Sequence, residues 1–209
     1  MSCPYPAMRG QCAGVLAATA LAIFAPSAQA ESTVAVPAAC DGQVAEQPFT
    51  PWADPASYVL APNGTVESRA GWNLGGGATR TSGNETFHVH DEDDASSLAL
   101  PPGSSATTAP MCVGLEHPTL RFFARNRGSV FSWLLVEVLF EDATGDSRAV
   151  PIGAYLGTPA WQPTPPVAVV ANLFSVLPGE HVDVAFRFTP QGAGDWSIDD
   201  VYVDPFRHG

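Results

Sequence analysis

An all-β fold, a sandwich or a barrel, is what this sequence predicts, and three observations carry that expectation. Short apolar runs alternate with turn clusters from Tyr58 onward. His181 to Thr189 alternates strictly, with Val182, Val184, Phe186 and Phe188 on one face and His181, Asp183, Arg187 and Thr189 on the other, the pattern of a half-buried strand. Gly and Pro number 19 and 20 in 209 residues, and they fall in explicit turns such as Pro62-Asn63-Gly64, Gly75-Gly76-Gly77, Pro101-Pro102-Gly103 and Gly192-Ala193-Gly194. A helical period appears at most once, over Val167 to Val176.

The first 30 residues have the three parts of an export signal. Arg9 supplies a positive start, Ala13 to Phe24 an apolar stretch, and Ala28-Gln29-Ala30 a small-residue cleavage site. The stretch of about 12 residues is short of the roughly 20 that a membrane span needs, so cleavage before Glu31 and a secreted, extracellular product are expected. Cys3 and Cys12 would leave with the signal. Cys40 and Cys112 remain, and an even pair in an oxidising compartment suggests a disulfide, worth about 4 kcal/mol in the chain-entropy picture; two buried thiols are the competing reading.

Charge narrows the partners. The chain has 9 basic and 21 acidic residues, a net charge of −12, and loses one more positive charge with Arg9. No Lys occurs; together with abundant Ala, Gly and Pro this reads as a GC-rich coding bias. A nucleic-acid backbone demands Lys and Arg to displace counterions, so nucleic acid is excluded, and no mature segment has the apolar length of a membrane anchor.

Residues 31–56 mix Pro, Ala and acidic residues and read as an irregular N-terminal arm with Phe49 and Trp52 as anchors. Residues 57–209 form the single domain. Within it, Thr119 to Arg125 and Val130 to Phe140 read as strands joined at Asn126-Arg127-Gly128 in a hairpin. Pairing of residue 125 with 129 would set Phe123 opposite Phe131 and Arg121 opposite Trp133, so that Arg121, Phe123, Arg125, Phe131 and Trp133 share one surface. Ser147 to Ile152 would return after a turn at Asp142 to Asp146, completing a meander. Val130 to Phe140 is apolar on both faces and should lie centrally in its sheet. In the last strand the apolar phase slips between Ile198 and Val201, and a β-bulge at Asp199-Asp200 explains it.

Two segments carry a family resemblance. Asn63-Gly64-Thr65-Val66-Glu67 with Gly71-Trp72 resembles the opening of secreted jelly-roll modules of the carbohydrate-binding, galactose-binding-like type, and Trp196-Ser197-Ile198-Asp199-Asp200-Val201-Tyr202-Val203 resembles their closing strand. Met111 through Phe123 and the end of the chain also resemble a group of uncharacterised exported actinobacterial proteins. The resemblance implies a two-sheet jelly-roll β-sandwich. It also implies a structural calcium ion held by Glu67, Asp199 and Asp200, since hard carboxylate oxygens suit Ca²⁺; Val66 stands where these modules usually have Phe. Carboxylates bonded to backbone at a bulge, without metal, are the alternative.

Other chemistry is thinly represented. His88-Val89-His90 ahead of Asp91-Glu92-Asp93-Asp94 suggests a metal pair, but an acidic run after a strand is more often a solvated loop, and no further His or Cys follows at ligand spacing. There is no G-x-S-x-G and no H-E-x-x-H, and Asn63-Gly64-Thr65 and Asn84-Glu85-Thr86 read as turns. The expected function is non-catalytic binding, to glycan or another cell-surface component, through Arg121, Phe123, Arg125, Phe131 and Trp133: a sugar presents an apolar C–H face to an aromatic ring, and Arg donates in a fixed fork. The alternatives are a structural envelope or matrix protein, whose arm covers that face with Phe49 and Trp52, and an enzyme with an unrecognised site.

Overall fold

The computed structural model describes residues 43–114, 119–142, 144–169 and 181–204. All belong to one compact unit, 34–209. It is a two-sheet jelly-roll β-sandwich built from antiparallel strands. No α-helix occurs among the described residues, and no helix there is long and apolar enough to cross a membrane.

The strands in chain order are β1 (Ala45–Glu46), β2 (Tyr58–Leu60), β3 (Trp72–Gly75), β4 (Thr79–Ser82), β5 (Ser96–Leu100), β6 (Ser105–Thr108), β7 (Met111–Gly114), β8 (Thr119–Asn126), β9 (Trp133–Glu141), β10 (Ser147–Tyr155), β11 (Gln162–Pro163), β12 (Val167–Ala168), β13 (His181–Gln191) and β14 (Trp196–Asp204). In one sheet β14 is central. It pairs with β8 on one side and, on the other, with β5 along its first half and β2 along its second; β4, β1, β11 and β12 extend the edges. In the other sheet β10, β9, β13, β6 and β3 follow in order, with β7 against the start of β13.

The core lies between the sheets. Leu120, Phe122 and Ala124 of β8 and Ile198, Val201 and Val203 of β14 meet Leu134, Val136 and Val138 of β9 and Val184, Phe186 and Phe188 of β13. The strict alternation expected of β13 is observed: Val184, Phe186 and Phe188 are fully buried and the residues between them are half-buried. β9 lies between β10 and β13, central as its two apolar faces require.

Two local expectations are corrected. β8 and β9 do not form a hairpin; they belong to opposite sheets. Residues 127–129 pair with the turn before β14 instead, through Arg127 N–H to Asp195 O at 2.9 Å and Ser129 N–H to Ala193 O at 2.9 Å. Each strand has an apolar row to bury, and facing each other across the interior buries both rows, where lying side by side would leave both needing a second layer. The helical reading of Val167 to Val176 also fails at its start, since Val167 and Ala168 pair with Leu120 and Thr119 as β12; residues 170–176 lie outside the described residues.

The bulge in β14 is present. Asp199 stands opposite Phe123 and Tyr202 opposite Arg121, so Asp200 and Val201 face one residue of β8. Asp200 takes φ 45°, a left-handed conformation that Asp tolerates better than most residues. The bulged Val201 exchanges backbone hydrogen bonds with the turn after β2, accepting from Ala61 N–H at 2.9 Å and donating to Gly64 O at 3.2 Å. A Cβ on Gly64 would stand 2.6 Å from Val201 O, so only glycine permits this approach.

Candidate functional site: an aromatic loop end

The five residues expected on one surface are divided by the β8/β9 crossing. Arg121 and Phe123 lie on the outer face of β8 and are buried. The arm covers them. Pro51 helps close a single 3₁₀ turn over Thr50–Trp52, which drives Phe49 inward against Tyr58, Phe123 and Tyr202. Phe49 stacks on Phe123 with centroids 5.7 Å apart at 21°, and the Arg121 guanidinium carbon sits 4.1 Å from the Phe49 ring centre. Arg121 pairs with Asp54 and donates through Nε to Thr164 O at 2.9 Å; Tyr58 donates its hydroxyl to Asp54 Oδ2 at 2.7 Å. Covering by Phe49 and Trp52 thus holds for Arg121 and Phe123.

Phe131 and Trp133 lie at one end of the sandwich, where three loops converge on Trp196, while Arg125 extends from the outer face of the other sheet onto Trp161. The Trp196 indole N–H donates to Ser132 Oγ at 2.8 Å, tying the 127–132 loop. A Cβ on Gly157 would come 2.6 Å from the Trp196 ring and one on Gly194 2.3 Å from its nitrogen, so the 156–161 and 191–195 loops close over the same ring only because both positions are glycine. Asn126 completes the junction: Oδ1 accepts from Gly128 N–H at 2.9 Å and Asp195 N–H at 3.1 Å, Nδ2 donates to Ser129 O at 2.9 Å, and its backbone N–H donates to Thr158 O at 2.7 Å.

This buried hub carries an exposed apolar crown. Six large apolar side chains among the described residues are exposed, and four of them, Val130 at 77%, Phe131 at 85%, Trp133 at 42% and Leu156 at 69%, belong to these loops. Trp133 starts β9 opposite Gln191. Leu156 follows Tyr155, which pairs with Leu134, and so lies abreast of Trp133. On the outer face of the opposite sheet, Arg125 lies with its guanidinium carbon 4.5 Å from the ring centre of Trp161, which packs in the cluster of Phe49 and Phe123. Concavities of about 470 and 300 Å³ flank the arm instead, one against β2 and β7, the other between Trp52, Tyr58 and Arg121. With Phe131 85% and Leu156 69% exposed, the loop end presents its apolar side chains outward as a platform.

The residues expected to hold calcium are not brought together. Glu67 accepts from Ala95 N–H and Ser96 N–H, both at 2.8 Å, and from Arg80 at 3.3 Å, so its charge is already answered. Asp199 accepts from Glu85 N–H at 2.9 Å and from Asp200 N–H at 3.0 Å. Asp200 is fully buried; neither of its oxygens accepts from a donor group among the described residues, and the Glu85 carboxyl stands within hydrogen-bonding reach of it. Burial first, then the neighbouring Asp200 charge, pushes Asp199 up to about 9; burial first, then the charge of Glu85, pushes Asp200 up to about 8. No three His, Cys, Asp or Glu side chains among the described residues gather as a metal-holding group. The orphaned Asp200 oxygens are the part of the set that fits a cation.

Glu85 is the residue that sequence reasoning missed. It looked like a turn residue, yet it is fully buried, its carboxylate accepting from the Phe87 and Val89 N–H groups; nothing local in Asn84-Glu85-Thr86 signals that. His88 and His90 face different partners, His88 towards Asn84 and His90 towards Glu46 and Tyr202. Cys112 is buried in β7, and Cys40, like the expected signal, lies outside the described residues.

No protein-family model matches the chain, and no curated protein matches it. Solved structures share part of its architecture. One contains a family 22 carbohydrate-binding module joined to the catalytic module of endo-1,4-β-D-xylanase 10B from Clostridium thermocellum, complexed with xylohexaose: 15% identity, TM-score 0.44, covering 66% of this chain and 26% of that one. This chain thus spans about a quarter of that structure. The C-terminal family 22 module of the same xylanase gives 16% identity and a TM-score of 0.45 over 69% of this chain and 94% of that one. The TmCBM61 module in complex with β-1,4-galactotriose gives 19% and 0.41 over 71% and 98%. Likeness at this level leaves the functional reading to the geometry of the chain itself.

Proposed function

We propose that this chain is an exported, non-catalytic module that binds glycan through the aromatic loop end, with Phe131 and Trp133 as the stacking rings. The observation that carries this reading is the gathering of four exposed apolar side chains on loops pinned to one buried tryptophan. Exposed apolar patches are uncommon on a soluble surface unless something uses them, and rings held on a rigid hub lose little freedom on binding. A pyranose offers the flat C–H face that such rings accept. Export, through cleavage before Glu31, and a Cys40–Cys112 disulfide that pins the arm belong to the same proposal. A glycan array of the wild type, Phe131→Ala and Trp133→Ala tests it. Binding by the wild type that both variants lose is expected; no glycan bound by the wild type would favour a structural envelope role, and binding retained by both variants would move the site elsewhere.

We propose in addition that Asp200 takes up calcium at the bulge, with Asp199 and Glu85 beside it. Two buried, unpartnered carboxylate oxygens are costly unless a proton or a cation answers them, and a hard divalent ion suits oxygen donors.

A further inference from the structure

Trp133 opens β9 on the outer face of its sheet, and the register fixes which residues share that face with it. Leu135 and Glu137 follow on β9, and Gln191, Thr189 and Arg187 stand opposite the three in turn on β13. The residues between them, Leu134, Val136, Phe188 and Pro190, are buried, so strand alternation turns these six outward. A row thus runs along the middle of the sheet from the indole ring to a charged pair. Arg187 clasps Glu137 through two parallel hydrogen bonds, Nε to Oε2 at 2.7 Å and Nη2 to Oε1 at 2.9 Å, and the two side chains are 34% and 13% exposed.

Between ring and pair the floor is low, since Thr189 and, on β10 opposite Leu135, Ala154 are short side chains. At the pair the rung continues sideways through Thr107 to Asn73 on one flank and to Pro151 on the other. Asn73, Pro151 and Ala154 are exposed, so the row is open on both flanks. Cross-strand attraction alone accounts for the pair; it does not account for an exposed indole at the head of the same row.

Side-chain chemistry says what fits there. A sugar lays its C–H face on the ring. A hydroxyl is donor and acceptor at once, and a carboxylate clasped beside a guanidinium answers both roles without net charge. Glu137 repels an anion and Arg187 a cation, so the pair selects a neutral ligand, and because each already holds the other, neither must be ordered on binding. Four steps of about 3.4 Å separate Trp133 from Glu137, about 14 Å along the strand, which exceeds one sugar ring and matches a linear run of about three.

We propose that a linear, neutral glycan lies along β9 and β13, stacked on Trp133 at one end and hydrogen-bonded through its hydroxyls to Glu137 and Arg187 at the other. The proposal rests on the glycan reading and names its substrate class, an unbranched neutral chain engaged over several sugars.

Titration calorimetry with β-1,4-linked glucose and mannose oligosaccharides, from single sugars to hexasaccharides, tests it on the wild type, on Glu137→Leu combined with Arg187→Met, and on Trp133→Ala, each checked for a native melting curve. An apolar pair of similar volume replaces the ion pair without leaving either charge alone. Wild-type affinity for one of the two series should rise about tenfold from disaccharide to tetrasaccharide, the worth of one hydrogen bond to a charged group, and level off beyond. The double variant should hold short chains as the wild type does and lose the rise, and Trp133→Ala should lose every length. Affinity that does not depend on length, or a rise that survives in the double variant, overturns the linear-chain site and leaves the glycan reading standing. So does a wild type that ignores both series while binding elsewhere on the glycan array. No binding to either series or to the array overturns both.

Discussion

Trp196 donates its indole hydrogen to Ser132 Oγ at 2.8 Å, and that bond ties the two sheets together at one end of the sandwich. Both residues are buried. Trp196 belongs to β14 of one sheet, and Ser132 leads directly into Trp133 of the other. Ser132→Ala would leave the indole N–H without an acceptor, which costs about 1–3 kcal/mol for a buried donor. The expected outcome is a lower melting temperature together with weaker glycan binding, although Ser132 itself is buried beneath the platform. Unchanged stability would show that the loop is positioned by its glycines alone.

The exposed rings behave oppositely. Phe131→Ala and Trp133→Ala remove side chains that are 85% and 42% exposed, leave no closed cavity, and should shift stability by roughly 0.5 kcal/mol for Phe131 and somewhat more for Trp133. Binding should fall in both. Chemical denaturation and a binding titration on the same samples check the pair; a Trp133→Ala protein destabilised as strongly as a core variant would place that ring in the structure and not in a site.

The arm is expected to be part of the fold. Phe49 is fully buried against Tyr58, Phe123 and Tyr202, and Phe49→Ala should cost about 3–5 kcal/mol, as for a buried aromatic. Equilibrium unfolding measures it. A loss below 1 kcal/mol would mean that the arm rests on the sheet without stabilising it.

Acid should loosen the same arm. Burial alone would raise the Asp54 pKa, but hydrogen bonds from Tyr58, the Ala56 N–H and Arg121, with the Arg121 charge, outweigh it and hold the carboxyl below its ordinary value. With a depressed folded pKa, the stabilisation is complete above the unfolded value of about 3.9 and is lost as pH falls through the folded one. Trp52 packs at this place, so its fluorescence should report an acid transition below about pH 4. Asp54→Asn should remove that step, and an identical acid profile in the variant would assign the transition elsewhere.

Calcium is checked through Asp200. A ligand that binds only the native state adds about 2.7 kcal/mol at 100 times its dissociation constant, so millimolar calcium should raise the melting temperature above that in chelator. Asp200→Asn should abolish the difference and should be the more stable protein in chelator, since it removes an unpartnered buried carboxylate and Asn accepts φ 45° readily. Superimposable wild-type curves with and without calcium would dispose of the site.

Intact mass settles export and the disulfide together. The secreted protein should begin at Glu31 and take up no alkylating reagent until it is reduced. Alkylation of both Cys40 and Cys112 without reductant would establish two buried thiols.

Sequence by itself determined the class of fold, the strand in His181 to Thr189 and the bulge at Asp199-Asp200, because period-two alternation and a slip in its phase are local facts that survive any tertiary arrangement. It also determined that Val130 to Phe140 contains an interior strand, since two apolar faces need cover on both sides. Tertiary structure alone decided what those strands face. The turn at Asn126-Arg127-Gly128 is equally compatible with neighbours in one sheet and with partners across the core, and burying the Leu120 row against the Leu134 row selected the second. That choice sent Arg121 and Phe123 under the arm, set Arg125 on Trp161 of the same sheet face, and left Phe131 and Trp133 at the loop end. The Glu85 backbone N–H finds its acceptor on Asp199, Gly157 meets the Trp196 ring and Gly194 meets Ser132, partners more than 35 residues away along the chain, where no local pattern reaches.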